Sequence, residues 1–246
     1  MRAIPTPYTM ASEHLHTKKL TIMNRHTILT LLAVASTFVM TSCVKDYSVT
    51  PSDDIASKSY ACYRITEVSA TTRGLTVYYH QAGSTSLSVE GPANMVEALK
   101  VDTDIAGRVT LELKNPYSFN LQDAEQTVKI RVTSPQTSTF EAMNEARIII
   151  PGALIGLSEL TVQAYSNGVV KLSKVSAPMI NIGAYTAGVV KVADASATSI
   201  DIGAYERGVV SFDKLTADDI NVSSYTGASV TAAGQTLEST TGDTSL

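Results

Sequence analysis

The sequence predicts an all-β protein built as a parallel β-helix, a solenoid of 20-residue coils, and three observations predict it. From Leu160 onward the chain repeats every 20 residues, so that tyrosine returns at Tyr165, Tyr185, Tyr205 and Tyr225. Within a coil apolar residues alternate with polar ones, as in Leu160 and Val162 or Ile200 and Ile202, the period of a half-buried strand. After each such run stands Tyr-x-x-Gly, with Gly168, Gly188 and Gly208 available for the positive φ of a tight corner; the last coil moves that glycine to Gly227. One such coil cannot bury its own apolar face and must stack on its neighbours.

Taken in chain order, residues 1–42 read as a secretory leader. His26 to Met40 is mostly apolar, lies behind Lys18, Lys19 and Arg25, and ends at Thr41-Ser42-Cys43. Such a core is too short to cross about 30 Å of hydrocarbon. Met23 is the expected start of translation, with residues 1–22 an upstream extension. Met40, Thr41 and Ser42 ahead of Cys43 resemble the bacterial lipobox, and that resemblance implies that Cys43 becomes a lipidated first residue, anchoring the protein to the outer membrane. Residues 43–60 read as a polar tether. Lys45 and Asp46 within it resemble, in part, the Lys-acidic signals that send lipoproteins of the Bacteroidetes to the cell surface.

Residues 61–135 alternate as strands around Tyr63 and Ile65, Leu75 and Val77, Leu87 and Val89, Val109 and Leu111, and Val128 and Ile130. Turn signals at Arg73-Gly74, Ala82-Gly83, Ala106-Gly107 and Asn115-Pro116 separate them. Pro92 followed by Met95, Val96 and Leu99 predicts one short helix or turn. The run Arg147 to Ile150 is a strand that Pro151 is expected to close.

The regular coils, residues 160–241, carry a second β-run after each corner, as in Val189, Val190 and Val192, and a third apolar pair, as in Ala195 and Ala197. Each turn of such a helix adds roughly 4.8 Å along the axis. Thr161, Asn181, Asp201 and Asn221 share one outward position and are placed to hydrogen-bond up the stack. The column Tyr165, Tyr185, Tyr205 and Tyr225 is the candidate ligand-binding set: stacked rings stabilise the coils, whereas exposed ring faces suit a sugar.

A strand ending in Ser88-Val89-Glu90-Gly91-Pro92-Ala93-Asn94, a short leucine-bearing turn, Lys100-Val101-Asp102, Val109-Thr110-Leu111, a strand ending at Pro151 and then Gly-punctuated coils resemble the head GIN domain of auto-transporter adhesins. The likeness spans residues 61–241 and implies a right-handed, coiled, all-β domain located in the cell envelope. The corners depart from the family's usual short Gly-Ser-Gly-like form, being larger and aromatic.

Charge and side-chain inventory narrow the function. The chain of 246 residues has 19 basic and 23 acidic groups; without Arg2, Glu13, Lys18, Lys19 and Arg25 of the leader they become 15 and 22, about −7, which disfavours a nucleic-acid partner. Cys62 has no disulfide partner once Cys43 is lipidated and reads as a small buried hydrophobe. His80, the one histidine beyond the leader, stands in a strand with no nucleophile elbow near it, and no metal or cofactor is expected. The carboxylates of the coils, among them Asp194, Asp201, Glu206 and Asp213, occupy different coil positions. The sequence therefore points to a non-catalytic adhesion or interaction module with a protein or glycan partner. The alternatives are a carbohydrate-binding module using the tyrosine column, or a polysaccharide-active β-helix enzyme.

Overall fold

The computed structural model describes residues 49–121 and 126–240; the leader, Cys43 and the start of the tether up to residue 48 lie outside the described residues. The chain opens with β1 (Ile55–Tyr60), β2 (Glu67–Ala70), β3 (Leu75–Gln81) and β4 (Ser86–Pro92). Helix α1 (Ala93–Ala98) leads to β5 (Leu99–Thr103), β6 (Arg108–Leu113) and β7 (Val128–Ser134). The coils then run through β8 (Thr139–Ala142), β9 (Arg147–Leu154), β10 (Glu159–Tyr165), β11 (Val169–Ser176) and β12 (Met179–Tyr185). Two long strands, β13 (Val189–Ala204) and β14 (Val209–Ser224), and the short β15 (Ser229–Ala232) and β16 (Gln235–Thr236) complete it.

Two parallel walls face each other across one core. The first stacks β6, β2, β8, β10, β12 and the C-terminal halves of β13 and β14. The second stacks β7, β3, β9, β11, the N-terminal halves of β13 and β14, and β15. A third, narrower side is formed where β11, β13 and β14 bend on past Lys174, Asp194 and Lys214, which pair in register. Inward positions form columns of fully buried side chains, from Val109 and Val68 through Phe140, Val162 and Ile182 to Val222 on the first wall. Because apolar inward residues meet apolar ones one coil apart, and in the middle coils identical ones such as Ile180 and Ile200 or Ala184 and Ala204, the 20-residue period itself fills the core.

The solenoid therefore starts well before Leu160. The coil of β8 and β9 has the same corner as the later ones, but Met143 and Ala146 replace the tyrosine and glycine that make the repeat visible. Below it the order of coils departs from the order of the chain: the β2–β3 coil lies between β6–β7 and β8–β9. The base is closed by antiparallel additions, β4 and then β1 on the edge of β7, and β5 on β6. Between them α1 tucks Met95 and Val96 into the core, with Pro92 at its N-cap as the sequence suggested.

Two local expectations are corrected. Residues 55–60, assigned to the tether, form β1 against β4; its side chains are exposed or half-exposed, so no apolar alternation marks it. Pro151 does not end its strand. β9 runs on to Leu154 through a bulge, with Ile150 opposite Leu172 and Ala153 opposite Lys174, a position where a residue lacking an N–H donor is tolerated.

Candidate functional site

The corner that follows the first wall sets the tyrosines. At Tyr165, Ser166 and Asn167 take φ of 48° and 64°, and the Gly168 N–H donates to the Tyr165 carbonyl at 2.8 Å. Thr186 and Ala187, then Glu206 and Arg207, repeat the same left-handed pair. The exposed amides are used between coils: Ser166 N–H donates to the Tyr185 carbonyl at 3.2 Å and Ala187 N–H to the Glu206 carbonyl at 2.9 Å. The positive φ thus falls on the two residues before the glycine, and the expectation that Gly168, Gly188 and Gly208 supply it is wrong. They are glycine because a Cβ there would lie 2.0–2.1 Å from the carbonyl oxygens of Ala142, Ala164 and Ala184. In the last coil Gly227 itself has φ of 71°.

The tyrosines point outward from the first wall, and Tyr165, Tyr185 and Tyr205 each fold back over the residue two before it. A Cβ at Gly183 would meet the Tyr185 ring at 2.5 Å, so the glycine makes room for the ring to lie flat. The four rings stack with centroids 4.8, 5.5 and 5.4 Å apart and planes within 20° of parallel. All four are half-buried. Their inner faces cover one another, which leaves edges and hydroxyls for any ligand along the column. Burial pushes the Tyr165 and Tyr185 phenols up from their ordinary pKa, and the neighbouring rings, Tyr185 and Tyr205 respectively, add to it.

Beside the rings runs the polar column. Asn221 Nδ2 donates to Asp201 Oδ1 at 3.0 Å, the expected bond up the stack, whereas Asn181 Nδ2 turns diagonally to Glu159 Oε1 at 2.8 Å. Between polar column and rings lies a groove parallel to the solenoid axis, floored by Gly183 and Gly203. Its volume, about 230 Å³, is below the roughly 300–1,000 Å³ of a small-molecule cleft, so it is an open trough along the wall. The Tyr165 hydroxyl donates to Gln163 Oε1 at 2.6 Å, and among the described residues the Tyr185 and Tyr205 hydroxyls have no hydrogen-bond partner. The two flanking columns were legible in the sequence but this groove was not; its signal was the glycine two before the middle tyrosines.

The remaining reactive groups stay apart. His80 is exposed on β3, and Cys62 is half-buried against the edge of the core instead of fully buried, with its thiol pKa raised by burial. Asp194 lies between Lys174 and Lys214 at 3.5 and 3.8 Å, and Glu206 accepts from the Thr186 hydroxyl at a corner. Among the described residues no three His, Cys, Asp or Glu side chains come together as a metal ion would require.

Fold and face together define a parallel β-solenoid, closed at its base, whose outer wall and not a cleft carries its side-chain pattern. The chain belongs to the family described as "Putative auto-transporter adhesin, head GIN domain", whose model matches residues 66–241. Solved structures similar to it include an adhesin of Bacteroides fragilis, so described provisionally, at 16% identity and TM-score 0.47, covering 75% of this chain and 100% of that one. A Parabacteroides distasonis protein with the same description shares 12% identity at TM-score 0.48, covering 75% of this chain and 99% of that one. A second protein of that organism, described as a "Putative lipid binding protein", shares 11% identity at TM-score 0.39 with the same coverage. No curated protein matches the chain.

Proposed function

We propose that the chain is a non-catalytic adhesion or interaction module of the cell envelope, held to the outer membrane by lipid on Cys43 and displayed at the cell surface. Family membership supports this reading. The observation that carries it is the first wall, where aromatic and polar columns repeat at coil spacing and present a partner with the same groups several times over. Catalysis by contrast needs different groups converging on one reacting atom, and the carboxylates of the coils are engaged separately, Asp194 by lysines and Asp201 by Asn221. Stacking of sugar rings on the tyrosine faces is disfavoured, because the inner faces are covered by neighbouring rings.

Two measurements test the proposal. Radioactive fatty acid fed to producing cells should label the protein and fail to label Cys43→Ser; labelling that survives the substitution sinks the anchor. Cells lacking the chain should attach more weakly to host surfaces or to one another than cells with it. Unchanged attachment on every surface tried would sink the adhesive role.

A further inference from the structure

We infer that the axial groove of the first wall is a binding site for a linear, uncharged glycan chain, held by side-chain hydrogen bonds along the edge of the tyrosine stack and not by stacking on ring faces. This rests on the reading of the chain as an interaction module, and it names the surface and the class of ligand.

The groove offers hydroxyl and amide groups at the repeat of the coils. On one side stand the Tyr185 and Tyr205 hydroxyls, which no described residue engages. On the other stand Asn181 and Asn221, each with its amide N–H given to a carboxylate and its carbonyl oxygen left over, and Asp201 with one oxygen left over. Donors and acceptors therefore alternate across a floor of two glycines, where the chain of a ligand can lie close to the backbone. A polymer whose own hydroxyls both donate and accept, and whose units recur near the coil spacing of about 4.8 Å, meets this pattern coil after coil.

Other occupants fit less well. An extended peptide binds a sheet through a free edge, and here the backbone of the first wall is already paired on both sides of β12 and β13. A polyanion meets no lysine or arginine in this groove; Asp201 lines it and Glu159 is bonded to its wall residue Asn181. A compact small molecule finds a trough too shallow to enclose it.

The test uses the full chain in mild detergent on an array of neutral and anionic linear oligosaccharides of two to eight units, followed by calorimetry with those bound. A neutral chain should bind, and affinity should rise with length up to about four units, one for each coil from Gln163 to Ser223. Tyr185→Phe with Tyr205→Phe removes two hydroxyls that have no protein partner and preserves the stack, so melting should hold while affinity falls about tenfold. Gly183→Val drives a side chain into the Tyr185 ring and the groove floor and should also lose binding. His80→Ala, an exposed position on β3 of the second wall, lies outside the groove and should retain it. Absence of any neutral ligand on the array, a preference for anionic chains, or full affinity in the double phenylalanine variant would overturn the inference. If no glycan binds but cells still need the chain to attach, only the groove assignment fails; if a glycan binds and attachment does not depend on the chain, only the adhesive role fails.

Discussion

Gly168, Gly188 and Gly208 hold their positions for want of room. Their φ values are not in the left-handed region, and what excludes a side chain is the carbonyl of the coil below, 2.0–2.1 Å from where a Cβ would stand. A carbonyl fixed in a ladder cannot move aside as the tip of a flexible side chain would. Gly188→Ala should therefore cost about 3 kcal/mol or more, the range of overpacking against rigid neighbours. Gly227 presents the opposite case, with φ of 71° and nothing within 4 Å of the added Cβ. Gly227→Ala should cost only about 1 kcal/mol of backbone strain. Denaturant midpoints of the two variants compare them directly, and a larger loss at Gly227 would show that φ, not crowding, governs these corners.

A strand and its corner form the unit that the repeat multiplies, and the tyrosine stack joins one unit to the next. Neutral phenols pack face to face at 4.8–5.5 Å, and ionising one places a charge among half-buried rings. Burial raises the pKa of Tyr165 and Tyr185, and of fully buried Tyr79, whose hydroxyl donates to the Ser134 carbonyl at 2.7 Å. A raised folded-state pKa means that the contribution of these phenols is intact below the unfolded value of about 10 and is lost as pH rises beyond it. Melting temperature should thus be flat with respect to these groups at pH 8–9 and fall above about pH 10. Tyr165→Phe with Tyr185→Phe should fall less steeply, and curves that run parallel would exclude the stack as the source. The stack was legible because its four tyrosines share one spacing and one parity. β1 was not, since an edge strand with both faces exposed or half-exposed has no period of two, and the β8–β9 coil was hidden because Met143 and Ala146 serve the corner without its signature.

At the scale of the molecule, sequence period conveys stacking but not stacking order. Val68 sits between Val109 and Phe140, so the lower coils are joined by contacts that skip along the chain, and no local pattern records which coil lies on which. The two ends also differ. The base is closed by β1, β4, β5 and α1, whereas the far end is held by the two-residue β16 against β15 and by Thr240, whose N–H donates to the Val222 carbonyl at 2.9 Å and whose hydroxyl accepts from Val222 N–H at 2.9 Å. A buried charge should therefore have unequal consequences along the axis, although Ile202 and Val230 are 2% and 1% exposed. Ile202 has Ile182 and Val222 in register on its two sides, so Ile202→Asp leaves a carboxylate no escape and should destabilise the whole solenoid by several kcal/mol. Val230 has Val210 on one side and only the terminal hairpin beyond, so Val230→Asp can relax by releasing that end, with a smaller loss of melting temperature. Hydrogen exchange distinguishes the two: fast exchange confined to residues after about Gly227 is expected for Val230→Asp, and accelerated exchange through the coils for Ile202→Asp. Matching exchange patterns in the two variants would mean that the coils unfold as one unit whichever of them is broken.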